Sequence, residues 1–385
     1  MINVYEFVVI VLFFLMLKTW AEGNSNTDRA FYIGASLIFI IEAFRATTVG
    51  GDTEQYTAFF MGEKSGYGYL YDNIDNFEIE IGYVIINRIL ALICQKEWWF
   101  IFSSSCIVLL PIFFRIRKYN EGNRLLSLCM FMTMWGILAC SVTSLRQNFG
   151  ISLMIIALYF IQEKTIKDRK LLYAIVGCLL FAALKCHSSI IFTLAILAFT
   201  YFVPMNRKIA LYSMVVCMII PISMDYFFSS VVNELVYLTE EIDLLGRSAR
   251  YSGDLLKEGD FRLQEVTFFA LAPFAIFVFS FIFLYTDEEF SKFETKCLIV
   301  GQCLYMLGRS FPMVVRAVLG VTIIGIVAVP LAFRNIKGGN VSIYNYAVIV
   351  MMAFYIVQMF MTFANWDYST GGGGGKLIPY EFIWE

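Results

Sequence analysis

The sequence predicts an all-α protein, a polytopic transmembrane helical bundle of about twelve spans with outer-face loops and a short interfacial helix. Three observations predict it: 59% of the 385 residues are hydrophobic, only 16% are charged, and apolar runs recur along the whole chain. Soluble domains are about 25% charged and less than about half apolar. Because a core of this size cannot hide so much apolar surface from water, lipid must be the solvent for most of it. This composition excludes a soluble enzyme and a disordered chain.

Charge and cysteine content exclude further classes of protein. The net charge of −2 provides no basic field for a polyanion, so we expect no nucleic-acid partner. The 9 cysteines lie in or beside apolar runs and form no CxxC pair. They predict free, buried thiols and not a disulfide framework. Residues 1–18 lack the basic region and the cleavage site of a signal peptide, and predict a retained first helix.

About twelve apolar segments approach the roughly 20 residues that a helix needs to cross a bilayer. These predicted spans are residues 4–17, 30–43, 98–114, 125–142, 149–161, 171–184, 189–203, 209–224, 266–285, 297–307, 317–333 and 344–364. A further segment, 81–94, is short and carries Arg88 in its middle. A charge at the bilayer centre costs about 2.5–3.5 kcal/mol.

The basic turns predict the orientation of the chain, because cytoplasmic loops carry an excess of Lys and Arg. If segment 81–94 lies on the outer face and does not cross, four basic turns all fall on the cytoplasmic side. These turns are 115–124, 164–170, 207–208 and 334–337. We therefore predict a helix lying on the outer face at 81–94, and both chain termini outside.

This orientation predicts one integral membrane domain, 1–385, with its long segments on the outer face. They are the outer loops 45–97 and 225–265 and an outer tail, 365–385. No predicted cytoplasmic segment is longer than about ten residues, and long loops in compact proteins are usually functional. We therefore expect the chemistry outside the membrane.

The first outer loop opens with Arg45 and continues into GGDTEQY, residues 50–56. Two glycines before an acid suit a tight turn, so Asp52 is either a helix N-cap or a functional carboxylate that positions substrate or accepts a proton. Further acids follow at 72–80, ending with Glu80. We predict no cofactor and no metal; the alternative is a divalent cation held at this acidic loop, whose spacing does not match an EF-hand.

Two short motifs between spans carry the next candidates. SLRQN, 144–148, contains Arg146, the only charge between Leu125 and Gln162. An arginine fork binds phosphate in a bidentate way, although the side chain could also snorkel to the membrane surface. LKCHSSIIF, 184–192, contains His187, the only histidine. A histidine can donate or accept a proton near neutral pH, but a single one cannot build a histidine-rich metal site.

Other arginines fall on the predicted outer face. GRSARYSGD, 246–254, contains Arg250, and Arg309 and Arg316 flank Pro312, which is expected to interrupt a helix there. Arginines gathered at a lipid interface indicate an anionic lipid head group, most simply a pyrophosphate.

The glycine run of the tail, STGGGGGKL, is not a phosphate-binding P-loop. Its spacing is short by one residue, Leu377 follows the lysine, and a predicted span precedes it. We predict a flexible strap that lets the last residues fold back onto the outer surface, with Tyr380 and Trp384 at the membrane interface.

Five motifs in this order resemble the EpsG family, which is similar to the Wzy-type polymerases of bacterial exopolysaccharide, capsule and O-antigen synthesis. The motifs are GxDTxxY at 50–56, ExGY at 80–83, SLRQ at 144–147, His187 followed by small residues, and a tail with Pro379-Tyr380. The resemblance implies a GT-C-like helical fold in the bacterial inner membrane. It also implies polymerisation, on the outer face, of repeat units carried on undecaprenyl pyrophosphate.

The resemblance and the chemistry of the residues together predict a role for each candidate. Arg146 and Arg316 would bind the pyrophosphate, with Arg309 and Arg250 in support. Asp52 or His187 would be the base, and Glu80 would position the acceptor. Contacts to the sugars are assigned to Arg45, Tyr56, Tyr83, Gln147 and Tyr380. The expected partners are a donor and an acceptor lipid-linked oligosaccharide, with a chain-length regulator and a flippase as further candidates.

Three other functions stay open at this point. A transporter or flippase of lipid-linked oligosaccharide would place charges near the middle of the membrane. A GT-C glycosyltransferase that uses a lipid-monophosphate sugar would favour a metal at the acidic loop. A structural subunit of a synthase complex would not need the group of arginines.

Overall fold

The computed structural model describes most of the chain as α-helices. The described residues are 4–21, 27–50, 52–62, 79–119, 124–133, 144–164, 166–223, 286–308, 312–328, 330, 349, 350, 353, 356 and 381–384, and they contain no strand. The helices are α1 (Val4–Ala21), α2 (Thr27–Ala43), α3 (Thr53–Met61), α4 (Ile81–Ile93), α5 (Glu97–Tyr119), α6 (Arg124–Thr133), α7 (Leu145–Glu163), α8 (Arg169–Cys186), α9 (Ile190–Phe202), α10 (Arg207–Ser223), α11 (Asp287–Ser291), α12 (Phe293–Gly308) and α13 (Pro312–Gly325). A 3₁₀ turn, Ile326–Ala328, follows α13.

The predicted spans within these ranges are helical, and most helices extend a few residues beyond the apolar run. Pro312 begins α13, where its missing N–H costs nothing, so Arg309 precedes the helix and Arg316 lies within it. The predicted span 266–285, the later part of 125–142, most of 329–333 and of 344–364, and the predicted outer loop 225–265 lie outside the described residues. The eight described cysteines are free thiols, as predicted, but only five of them are buried: Cys94 and Cys106 are partly exposed and Cys178 is exposed.

One helix of the described part of the chain, α5, is long and apolar enough on its own to cross a membrane. Three shorter apolar helical stretches are Ile81–Ile93, Ile190–Phe202 and Ala317–Ala328. The count of about twelve spans stays a prediction.

The segment predicted to lie on the outer face is helix α4, and its two faces differ. Tyr83, Asn87 and Leu90 are buried against the protein. Ile85 and Ile89, four residues apart, are 50% and 54% exposed. Residues four apart share one face of a helix, so α4 presents an apolar stripe away from the protein. This arrangement suits a helix at a lipid interface.

One end of the bundle, called here the basic end, joins turns that the sequence assigned to a single side. Arg115, in the last turns of α5, forms a 3.0 Å ion pair with Glu294 at the start of α12. Gln162, near the end of α7, bonds to both, at 3.1 Å and 2.9 Å. Lys118 pairs with Glu163 at 3.0 Å. The ends of α5 and α7 and the start of α12 therefore meet at this end.

Further contacts extend the basic end. Arg124 at the start of α6 forms an ion pair with Asp28 at the start of α2. The Lys296 ammonium of α12 donates to the carbonyl of Val203, just after α9, at 2.8 Å. Because α7 and α9 both finish at the basic end, their first residues, including Arg146 and Ile190, lie at the opposite end. We call this the motif end.

The described tail residues, 381–384, contact the chain just after α2, while the glycine run predicted as a strap lies outside the described residues. The Ala46 amide donates to the Glu381 carbonyl at 2.8 Å, and the Ile383 amide donates to the Phe44 carbonyl at 2.9 Å. The Thr48 hydroxyl donates to the Glu381 carboxylate at 2.9 Å. The Trp384 ring also packs on the Phe44 ring, with centroids 6.0 Å apart. Residues 381–384 therefore cover the segment that leads into the first candidate motif.

A chain that ends at residue 380 should lose protection of the Ala46 amide against hydrogen exchange. One hydrogen bond contributes about 0.5–1.5 kcal/mol, so the exchange rate should rise by roughly tenfold. Mass-spectrometric exchange of the peptide that contains Ala46 measures this. The matched variant Trp384→Ala keeps both backbone bonds and should change exchange less. Unaltered exchange in the shortened chain would show that residues 381–384 do not hold this segment.

Candidate functional site

Arg146 lies at the second position of α7, at the motif end. Its Nη1 donates to the Glu80 carboxylate at 2.8 Å. Both side chains are less than one-fifth exposed, at 17% and 19%. A partly buried pair is screened less by salt than a surface pair. The snorkelling alternative does not describe this arginine, since its guanidinium is held by a carboxylate from a distant segment.

Tyr56 supports the guanidinium from a third segment, helix α3. The Arg146 Nε donates to the Tyr56 hydroxyl at 3.4 Å, and the guanidinium carbon lies 5.8 Å from the ring centroid. The Tyr56 ring contacts Tyr83, with centroids 5.6 Å apart, and Tyr83 contacts Phe149 at 5.7 Å. This buried aromatic column joins α3, α4 and α7 beneath the ion pair. Its Tyr56 ring packs against the guanidinium of Arg146.

Two glycines bring the histidine loop beside this pair. A Cβ on Gly82, two residues after Glu80, would lie 2.6 Å from the carbonyl carbon and oxygen of Lys185. A Cβ on Gly150, one turn after Arg146, would lie 2.9 Å from the Ala183 carbonyl oxygen. The start of α4 and the first turns of α7 therefore both pack on the last turn of α8. His187 directly follows that turn.

His187 stands between α8 and α9 and is partly buried. Its Nδ1 lies 2.8 Å from the Ser189 hydroxyl oxygen and accepts from the Ser189 amide at 3.1 Å. The imidazole is therefore held by Ser189, the residue that directly precedes α9.

Asp52 occupies the N-cap position of α3, but its side chain makes no capping hydrogen bond. The predicted N-cap position is confirmed, while the capping contact itself is not made. The carboxylate is partly exposed and lies one turn before Tyr56. A role in chemistry therefore stays open for Asp52.

Helix starts collect at this site. The residues that precede α3, α4, α7 and α9 are Asp52, Glu80, Ser144 and Ser189, and none of the four side chains makes a capping hydrogen bond. The N-terminus of a helix carries a positive partial charge and uncapped N–H groups, which favour an anion. The amides of Ile190, Ile191 and Phe192 at the start of α9 already donate to backbone carbonyls, so the cation that suits the motif end to phosphate oxygens is Arg146, with the positive ends of the helices in support.

The residues assigned to sugar contacts take supporting positions. Arg45 is 1% exposed and donates to the carbonyl and the carboxylate of Glu42, the latter at 3.1 Å. Tyr83, Gln147 and Tyr56 are also buried, at 0%, 1% and 7%. None of these four side chains presents a broad surface to a ligand, so their sugar contacts are not carried into the proposal below.

The remaining candidates fall at or beyond the limits of the described residues. Arg250, Arg309 and Tyr380 lie outside them, as does the acidic loop apart from Glu80. The backbone of Arg316 lies in α13. Ala317 directly follows Arg316 in α13, and its carbonyl accepts a hydrogen bond from the Thr193 hydroxyl of α9 at 2.8 Å. The start of α13 is therefore beside the start of α9, at the motif end.

Three residues of the site escaped the sequence reasoning: Gly82, Gly150 and Ser189. A glycine inside a helix costs roughly 0.5–1 kcal/mol relative to alanine, so both glycines signalled a close approach of another backbone. Ser189 gave no signal beyond its position two residues after the histidine. Among the described residues, no group of three or more His, Cys, Asp or Glu side chains is placed to hold a metal ion.

Fold and site together define an all-helical protein with an arginine–carboxylate site at one end of the bundle and a basic end opposite. The chain belongs to the EpsG family, which it matches over residues 28–382. EpsG is a membrane protein family of Wzy-like polysaccharide polymerases. Comparison with curated proteins and with solved structures finds no match.

Proposed function

We propose that this protein joins repeat units carried on undecaprenyl pyrophosphate, on the outer face of the bacterial inner membrane. The observation that carries the proposal is the Arg146–Glu80 pair at 2.8 Å, set among the starts of four helices. A cationic fork binds a departing pyrophosphate, and the positive ends of nearby helices favour the same charge. The motif end would face outward and the basic end the cytoplasm, in keeping with the positive-inside rule.

The reaction transfers a glycan without an external energy source. A hydroxyl of the acceptor sugar attacks the anomeric carbon of the donor. The new glycosidic C–O bond forms as the bond from that carbon to the pyrophosphate oxygen breaks. The pyrophosphate leaves with the bonding electron pair, and the hydroxyl proton passes to a base of the site. Because charge grows on the leaving oxygen, cations there stabilise the transition state more than the ground state.

Arg146 must change partners during this reaction. In the structure, its Nη1 donates a hydrogen bond to the Glu80 carboxylate. A phosphate oxygen bears the same kind of charge as this carboxylate and would take its place on the guanidinium. Glu80 would then be released toward the acceptor, which is the role assigned to it. Arg316, at the neighbouring start of α13, would add a second cation.

The positions of the buried charges favour this enzyme over a transporter. Among the described residues, the buried charged side chains are Glu6, Glu42, Arg45, Arg115 and Glu289. Each lies in the first or last turns of a helix, just beyond a helix end, or in the short helix α11. A transporter binds its cargo near the middle of the membrane, where charges of the helices would line the path.

Purified protein in lipid nanodiscs, supplied with a polyprenyl-pyrophosphate oligosaccharide, tests the proposal. A ladder of products, each longer by one repeat unit, is expected with and without EDTA. A single addition would indicate a glycosyltransferase, and loss of activity in EDTA would indicate a metal at the acidic loop. Absence of product, together with movement of the lipid-linked substrate across the bilayer, would indicate a flippase. A chain-length regulator and a flippase are the proposed partners in the cell.

A further inference from the structure

Ser189 directly precedes helix α9, at its N-cap position, but its side chain does not cap the helix. Serine at this position usually accepts a hydrogen bond from the first turn, worth about 1 kcal/mol. Here the side chain makes no capping bond, and its Oγ lies 2.8 Å from Nδ1 of His187. The residue is 1% exposed, so water does not offer an alternative partner. The hydroxyl therefore contacts the imidazole instead of stabilising the helix.

A second contact determines which ring nitrogen carries the proton. The backbone amide of Ser189 lies 3.1 Å from the same Nδ1. A backbone N–H can only donate, so Nδ1 must offer its lone pair. A neutral imidazole has one protonated nitrogen, and that nitrogen is then Nε2. The Ser189 hydroxyl, as a donor to Nδ1, favours the same tautomer.

We propose that His187 acts as a hydrogen-bond donor through Nε2–H and that Ser189 is the positioning residue that holds it in this form. The inference rests on the proposed function for its substrate, an oxygen of the departing pyrophosphate. A general base would need a lone pair on Nε2, which this tautomer does not have. The Nε2 proton therefore stays on the ring throughout. The acceptor hydroxyl proton passes instead to Asp52, whose carboxylate is not engaged in capping α3.

The position of His187 suits a donor to the leaving group. The last turn of α8 is in contact with the backbone at Gly82, two residues from Glu80, and with Gly150, one turn from Arg146. The histidine therefore follows directly on the turn that packs against both sides of the ion pair. A neutral donor beside Arg146 adds to the stabilisation of the oxygen without adding a second charge to a partly buried site.

Nuclear magnetic resonance can read the tautomer directly, because this chain has a single histidine. Full-length protein labelled with ¹⁵N in the histidine ring should give the signals of one residue, which His187→Gln removes. At neutral pH we expect a protonated Nε2 and a non-protonated Nδ1. Ser189→Ala keeps the backbone donor but loses the hydroxyl, and should show a mixture of tautomers. A wild-type ring protonated on Nδ1 would overturn the inference.

Activity provides a separate test, because a glutamine amide can donate from the place of Nε2 but cannot act as a base. His187→Gln should keep polymerisation within about tenfold of wild type, and His187→Ala should lose about 10²-fold. The acidic limb of the rate-versus-pH profile should be unchanged in His187→Gln. Equal losses in both variants would mean that His187 is the base. If the tautomer is as expected but the wild-type protein forms no polymer, the proposed function fails while the geometry of His187 stands.

Discussion

Replacing Arg146 with alanine should reduce polymer formation by about two to three orders of magnitude, the loss that follows removal of one donor to a developing oxyanion. The side chain is held between Glu80 and Tyr56, so few other conformations compete with the productive one. Its removal also leaves the Glu80 carboxylate partly buried without its arginine. The yield and length of product from the lipid-linked oligosaccharide measure the effect.

Arg146→Lys separates charge from geometry. Lysine keeps the charge but lacks the planar fork, so this variant should lie between alanine and wild type. Arg88→Ala is the matched control, since Arg88 is an exposed arginine on α4, the helix that begins beside the site. It should polymerise normally. Wild-type polymer from Arg146→Ala would show that the pyrophosphate is bound elsewhere.

Gly82→Ala should impair both folding and activity. Its Cβ would lie 2.6 Å from the backbone of Lys185, and a backbone cannot move aside as a flexible side chain can. Overpacking of this kind costs about 1–3 kcal/mol. The start of α4 would move away from α8 and carry Glu80 with it. A misplacement of about 1 Å at a reacting site can cost 10²-fold in rate. Thermal unfolding in detergent and the polymerisation assay measure the two effects.

Gly177→Ala is the matched control for this substitution. Gly177 also lies in a helix, α8, but a Cβ there would meet no atom within 4 Å. Alanine is favoured over glycine in a helix by roughly 0.5–1 kcal/mol, so this variant should be as stable as wild type or slightly more stable. If Gly82→Ala unfolded at the same temperature as wild type and kept full activity, the contact between α4 and α8 would not position the site.

Local patterns in the sequence located those described helices that coincide with apolar runs. Segment 81–94 was placed on the outer face by its Arg88 and by the basic turns, and it forms the two-faced helix α4. The basic turns were assigned to one side by charge alone. Those near Arg115, Arg124 and Glu163 meet at one end of the bundle. Both results rest on helical periodicity and on the positions of charged residues, and both can be read from short stretches of the sequence.

The sequence predicted which residues belong to the candidate site, but it did not predict which of them contact each other. Arg146, Glu80 and His187 stood out because charges and histidine are rare in this chain. Their contacts join residues 66 apart in the case of Glu80 and Arg146, and no local pattern encodes such a pairing. Arg45 differs, because its partner is close in the sequence and what the sequence did not show is that both side chains are buried. Its charge suggested a ligand contact, but it binds the buried Glu42 three residues before it.

The sequence by itself determined that this protein is a helical membrane protein with a scarce set of polar residues, because hydropathy and charge act through solvent and need no partner. Its motif order also indicated the EpsG family. Only the tertiary structure decided that Glu80 pairs with Arg146. It also decided that Gly82 and Gly150 leave room for the end of α8, and that Ser189 contacts Nδ1 of His187 and so favours one tautomer. These features depend on short distances between separate helices. Packing sets such distances.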